Sequence, residues 1–153
     1  MGGERTATAR ERTEITALAG QPASFWIAAV ACLAMIIGGV AQWATAFSFI
    51  SVSGTSMHGW NEVAAGAAAL AMLAVYLLRG ARLPLIAAAV AGVLGVIQAV
   101  ATLAKIGSDG AMTVLGYQYR YLEPAWGLYL VLVAAVVLTC SATLAWLAAR
   151  STK

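Results

Sequence analysis

A run of twenty-seven residues without a charged side chain, from Ser24 to Ile50, constrains this chain more than any other feature. An α-helix rises about 1.5 Å per residue, so about 20 apolar residues cross the roughly 30 Å of bilayer hydrocarbon. Because lipid offers no water to backbone N–H and C=O groups, such a run must be a helix or part of a closed barrel. Barrel strands alternate apolar and polar residues, and this run does not alternate. It predicts a membrane-spanning helix.

Three further apolar runs follow, and Pro84 and Pro124 stand where the first turn of a helix tolerates proline. The runs predict an all-α fold, an integral membrane four-helix bundle with up-down-up-down order. The expected transmembrane domain covers 24–149, with spans at about 24–48, 60–78, 84–104 and 125–149 and outer loops at 49–59 and 105–124. Residues 1–23 are polar and predict a disordered cytoplasmic tail, and 150–153 form the C-terminus.

The composition agrees with a membrane protein. Hydrophobic residues make up 62% of the chain and charged residues 10%, whereas about 25% charged residues are typical of soluble domains. The net charge of +3 is spread over helix ends and the tail without a basic face, so we expect no nucleic-acid partner. The two cysteines, Cys32 and Cys140, lie in apolar runs and predict buried thiols rather than a disulfide framework.

The distribution of basic residues predicts the orientation. Seven of the nine Lys and Arg residues lie in the tail, in the Arg79/Arg82 link and at the C-terminus, and the other two are Lys105 and Arg120. Basic residues accumulate in cytoplasmic loops. We therefore expect both termini on the cytoplasmic side of a bacterial plasma membrane.

The second outer loop carries tyrosines at alternate positions, Tyr117, Tyr119 and Tyr121. A period of two is typical of a strand, and residues 49–52 offer a partner strand in the first loop. The outer loops therefore predict a small β-hairpin or sheet cap. The alternative is an aromatic belt at the membrane interface without regular structure, and the pattern does not separate the two.

Polar residues within the predicted spans are few. Counted from Val63 in the second span, the apolar runs contain no Asp, Glu, Lys, Arg or His, which argues against a proton relay. The candidate intramembrane polar contacts are Gln42 and Gln98, each in a Gly-Val-(Ala/Ile)-Gln tetrapeptide near the outer end of its span. We interpret them as hydrogen-bonding contacts between helices, and the alternative is a polar pore lining.

The outer loops supply a second group of candidates. An outer interaction surface is predicted to include His58, Glu62, Asp109, Tyr117, Tyr119, Arg120, Tyr121 and Glu123. A metal site needs three or four convergent ligands, and His58, Glu62 and Asp109 could supply three. Loop residues near helix ends are more often solvated, and Glu62 also suits a helix N-terminus. We predict no metal, no cofactor and no catalytic residue here.

The charged tail, the four Ala/Val/Leu-rich spans and Pro124-Ala125-Trp126-Gly127-Leu128 at the entry to the last span resemble small four-span membrane proteins of high-GC actinobacteria and their phages. The resemblance implies a plasma-membrane location and no known activity. We expect a non-enzymatic multi-pass protein that binds a partner or acts as a scaffold. Its expected partners are membrane lipids and either a second copy or another membrane protein. The alternative is an oligomeric pore of the holin or ion-leak type.

Overall fold

A computed structural model describes residues 21–46, 50–109, 111–114, 117–120 and 122–151. The predicted N-terminal tail therefore lies almost wholly outside the described residues. Four long helices dominate the structure: α1 (Ala23–Val40), α2 (Gly59–Arg79), α3 (Leu83–Asp109) and α4 (Trp126–Ser151). All four are long and apolar enough to cross a membrane, which confirms the four predicted runs as helices.

Local sequence accounts for the helix ends. Pro22 precedes α1, and its carbonyl accepts a hydrogen bond from the N–H of Phe25 at 2.9 Å. Gly80, with φ +62°, ends α2, and its N–H donates to the carbonyl of Tyr76 at 2.8 Å. A left-handed residue after the last turn is the usual glycine C-cap. Pro84 lies in the first turn of α3, as expected.

The first span is shorter than predicted. Helix α1 ends at Val40, and Gln42–Ala46 forms strand β1 instead of two more helical turns. At about 1.5 Å per residue the eighteen residues of α1 still cover roughly 27 Å. Hydropathy measures only affinity for lipid, so it did not separate the helix from the apolar strand that follows. In contrast, α3 runs to Asp109, five residues beyond the predicted end at Ala104.

Two small sheets lie at the end of the helices where α1 stops. Strand β1 pairs antiparallel with β2 (Ile50–Ser53) and with β5 (Leu122–Pro124), which gives the order β2-β1-β5. A separate hairpin joins β3 (Ala111–Val114) to β4 (Tyr117–Arg120). We refer to this end, which also holds the 3₁₀ turn Gly54–Met57, as the strand-bearing end.

The predicted sheet exists, but one predicted pairing was wrong. The tyrosine strand β4 pairs with β3 of its own loop, with Met112 opposite Tyr119, and not with residues 49–52. The two loops are instead joined by β1 and β5, with Thr45 opposite Glu123. The short connection between β3 and β4 favours hairpin pairing, because neighbouring strands lose less chain entropy when they meet.

The helices pack side by side in a ring. Helix α1 lies against α2 and α4, and α3 also lies against α2 and α4. The centre is filled by apolar side chains that include Met35, Leu73, Leu85 and Leu138, all at most 1% exposed. Of the two cysteines, Cys32 is buried as predicted, whereas Cys140 is exposed on the outer side of α4.

Glycines bring the helix ends together at the strand-bearing end. A Cβ added to Gly39 in α1 would lie 2.9 Å from the carbonyl oxygen of Gly59 and 2.8 Å from Val63 Cγ2, both in α2. The indole nitrogen of Trp43 donates to the carbonyl of Gly38 at 2.7 Å, and Trp43 is fully buried. The end of α1 is thereby held against the start of α2, where the candidate site lies.

Candidate functional site

Glu62 is the most unusual side chain in the described structure. It lies in the first turn of α2 and is 1% exposed. Within the described part of the chain, neither of its carboxylate oxygens has a hydrogen-bond partner, and no other buried side-chain nitrogen or oxygen is left in that state. Buried polar groups are nearly always hydrogen-bonded, so an unpartnered one calls for an explanation.

The carboxylate lies where three other helices meet. A Cβ added to Gly95 of α3 would be 3.0 Å from Glu62 Oε2, 2.8 Å from Met35 Cε of α1 and 3.1 Å from the Cβ of Ala135 of α4. Met35 and Ala135 are fully buried. The missing side chain at Gly95 leaves space that the carboxylate borders together with the apolar Met35 Cε and the Cβ of Ala135.

This position corrects one prediction. Glu62 was placed on an outer interaction surface, but it is enclosed by the helices. The prediction that the membrane interior holds no acidic residue concerns depth in the lipid and stays a prediction. The reason for the burial is steric and non-local: Glu62 stands at the margin of an apolar run, and the glycine that admits its side chain comes thirty-three positions later in the chain.

A cavity of about 350 Å³ adjoins Glu62 between α2 and α3. Its lining residues are Asn61, Glu62, Ala65, Leu94, Gly95, Ile97 and Gln98. A second, more polar groove of about 280 Å³ lies at the strand-bearing end and is lined by His58, Asn61, Gln98, Ala101, Thr102 and Lys105. Asn61 and Gln98 line both spaces, so the polar groove is adjacent to the cavity beside the carboxylate.

Gln98 connects the two helices at this boundary. Its Nε2 donates to the carbonyl of His58 at 3.1 Å, across forty positions of sequence. His58 has φ +71°, unusual for a residue other than glycine, and links the 3₁₀ turn to α2. The same His58 carbonyl accepts the N–H of Asn61 at 3.0 Å. One side of the polar groove is therefore formed by the left-handed backbone at His58, to which Gln98 is hydrogen-bonded.

The two glutamines of the sequence analysis do not share one site. Gln42 lies in β1 rather than in a helix, and its Nε2 donates to Thr45 Oγ1 at 3.0 Å. Gln98 does join two helices, but it does so through a backbone carbonyl. Their similar tetrapeptides therefore have different structural roles.

The other predicted surface residues are dispersed. The His58 side chain is exposed, and Glu123 lies exposed in β5 opposite Thr45. Asp109 ends α3, while Tyr117, Tyr119 and Arg120 belong to β4, and their side chains are outside the described set. Tyr121 lies outside the described residues altogether.

The chemistry of the site is that of a single carboxyl group with two amides nearby. Among the described residues there is no cluster of three or more His, Cys, Asp or Glu side chains that could hold a metal ion. A lone carboxyl in apolar surroundings can bind one proton and then be neutral. Asn61, Gly95 and Met35 were not predicted as site residues; for Gly95 the signal was its place in a stripe of small residues, Ala91, Gly95 and Ala99.

Comparison of the chain with protein-family models, with curated proteins and with solved structures finds no match.

Proposed function

We propose that this chain is a non-enzymatic multi-pass protein of a bacterial plasma membrane that binds and releases a proton at Glu62, and that it acts by binding a partner at its strand-bearing end. The observation that carries the proposal is the buried, unpartnered carboxyl of Glu62. The structure has four helices long and apolar enough to span a membrane, which is compatible with a multi-pass membrane protein.

The proton follows from the cost of burying charge. An ionised carboxylate loses several kcal/mol of hydration in an apolar interior, and it is tolerated there only when paired and hydrogen-bonded. Glu62 Oε2 shares the space beside Gly95 with two apolar atoms, Met35 Cε and the Cβ of Ala135. A bound proton removes the charge and needs no additional space.

A partner at the strand-bearing end is supported by the edges of the three-stranded sheet. Strand β2 is an edge strand, and Ile50 in it is 50% exposed. An exposed edge offers unpaired backbone groups to a strand from another chain. The partner is a second copy or another membrane protein, as expected from the sequence. Protonation of Glu62 would alter the packing of the helix ends next to it. That change would alter the surface of the strand-bearing end that the partner contacts.

A pore through one chain receives no support from the helical core. Leu73, Leu85 and Leu138 fill its centre, and Ser141 and Thr139 donate to carbonyls of their own helix. An oligomeric pore stays a prediction. Reproducible unitary conductance of the purified protein in planar bilayers would favour it over partner binding.

Infrared spectroscopy of the full chain in lipid tests the proton at Glu62. We expect a carbonyl band of a protonated carboxylic acid near neutral pH that disappears in Glu62→Gln. The matched control Glu123→Gln changes an exposed carboxylate and should leave the band in place. A wild-type spectrum without the band, or a band that survives Glu62→Gln, would refute proton binding at Glu62.

Partner binding is tested by purification in mild detergent with and without Glu62→Gln. We expect the wild type to retain a second copy or another membrane protein and the variant, locked in an uncharged state, to retain an altered amount. Identical recovery in both would show that partner binding does not depend on the protonation of Glu62.

A further inference from the structure

We infer that the proton reaches Glu62 from the strand-bearing end, through the polar groove between α2 and α3, and that Gln98 holds this route closed. The inference rests on the proposed function and adds to it a path and a positioning residue.

The position of Glu62 along α2 favours the strand-bearing end. Glu62 comes three residues after the helix begins at Gly59 and seventeen before it ends at Arg79. At about 1.5 Å per residue these distances are roughly 5 and 25 Å along the axis. Toward Arg79 the way is filled by buried Ala69 and Leu73. Water is therefore nearest at the strand-bearing end.

The groove has the polar lining that water requires. His58, Asn61, Thr102 and Lys105 line its outer part, and its volume of about 280 Å³ exceeds the roughly 30 Å³ that one water occupies in the liquid. Beyond Gln98 the cavity walls become apolar, with Ala65, Leu94 and Ile97. The change from polar to apolar lining takes place at Asn61 and Gln98, which border both spaces.

The polar groove is the side from which a proton can approach Glu62, because the other helices place apolar atoms next to Gly95. Helix α1 presents Met35, α3 presents Gly95 and α4 presents Ala135. In the part of the chain that the structure describes, the titratable residues lining the groove are His58 at its α2 side and Lys105 at its α3 side. A proton donor or a water chain can therefore approach through these residues, and not from the apolar core.

Gln98 closes the approach by joining its two walls. The hydrogen bond from Gln98 Nε2 to the His58 carbonyl connects α3 to the start of α2, four residues before Glu62. Breaking it frees both walls to separate, which admits water to the carboxyl. The loss of one neutral hydrogen bond changes an opening equilibrium by roughly five-fold.

The test measures the rate at which a water-soluble carbodiimide modifies Glu62 in the full chain in lipid vesicles, read by peptide mass spectrometry. This reagent reacts with carboxyl groups that it can reach from water. We expect Gln98→Ala to speed the modification of Glu62 roughly five-fold. Gln42→Ala is the matched control, because the Gln42 side chain donates to Thr45 of its own strand, and it should leave the rate unchanged.

A second variant, at Ala101, keeps the test informative if Gln98→Ala fails to fold. Ala101→Trp places a large side chain in the polar groove and should slow the modification. Ala104→Trp, three residues along the same helix and outside the groove lining, should not. If Gln98→Ala and Ala101→Trp match their controls while the infrared band of Glu62 persists, the route is refuted and proton binding stands. If the wild type lacks the band, proton binding itself fails.

Discussion

Glu62 and Gly95 fit together as a side chain and the space left by a missing one. A Cβ at Gly95 would lie 3.0 Å from Glu62 Oε2, closer than ordinary van der Waals contact. The carboxyl therefore occupies space that a side chain at position 95 would crowd. This pair links the packing of α2 and α3 to the one buried acidic group among the described residues.

Replacement of Glu62 by methionine should raise the thermal stability. Methionine is unbranched and of similar length, and exchanging an unsatisfied buried polar group for an apolar one removes a desolvation cost of about 1–3 kcal/mol. Thermal unfolding in detergent measures the change, with Glu123→Met at an exposed position as the control. A fall in the midpoint for Glu62→Met alone would mean that the carboxyl has a stabilising partner in solution.

Gly95→Ala should destabilise the protein modestly. The added methyl group meets the ends of two flexible side chains, Met35 and Glu62, which can shift at a cost of about 1–3 kcal/mol, while alanine regains up to about 1 kcal/mol of helix propensity. Gly107→Ala in the same helix has no atom within 4 Å of the added group and should be stabilising by roughly 0.5–1 kcal/mol. Equal unfolding midpoints for the two variants would contradict the close packing at Gly95.

Gly39→Ala should be more damaging than Gly95→Ala. Its methyl group would lie 2.9 Å from the backbone oxygen of Gly59, and backbone in a packed helix end cannot move aside as a side chain can. We expect a loss of about 3 kcal/mol, at the upper end of overpacking costs. The measurement is the unfolding midpoint together with the yield of monodisperse protein. A milder effect than that of Gly95→Ala would show that α1 and α2 lie farther apart.

Trp43→Phe should lower stability by about 0.5–1.5 kcal/mol, because it removes the indole donor to the Gly38 carbonyl, which keeps only the N–H of Ala41 at 3.3 Å. Trp60→Phe provides the control, since Trp60 is 63% exposed. Thermal unfolding of both variants in the same detergent decides the matter. Identical midpoints would mean that the bond from Trp43 does not hold the end of α1.

The orientation in the membrane stays a prediction from the basic residues. In a variant without Cys32 and Cys140, single cysteines at Gly2 and Ser151 should resist impermeant thiol reagents in intact cells. Cysteines at Thr55 and Ser108 should react. The reverse labelling pattern would place both termini outside.

The sequence by itself determined the four helices. Each apolar run must satisfy its own backbone hydrogen bonds, which is a local requirement, so length and hydropathy were sufficient to locate the helices. Their ends were predicted well where glycine or proline stands, as at Gly80 and Pro84. The end of α1 was not, because Gln42–Ala46 is apolar enough for lipid and pairs as a strand only when β2 and β5 are beside it.

Only the tertiary structure decided what lies inside. Glu62 looks like a surface residue when it is read beside its sequence neighbours, and its burial depends on Met35, Gly95 and Ala135 from three other helices. Gln42 and Gln98 occur in similar tetrapeptides, yet one bonds within a strand and the other joins two helices. Burial and hydrogen bonding depend on which residues meet in space, and that information is absent from any single apolar run.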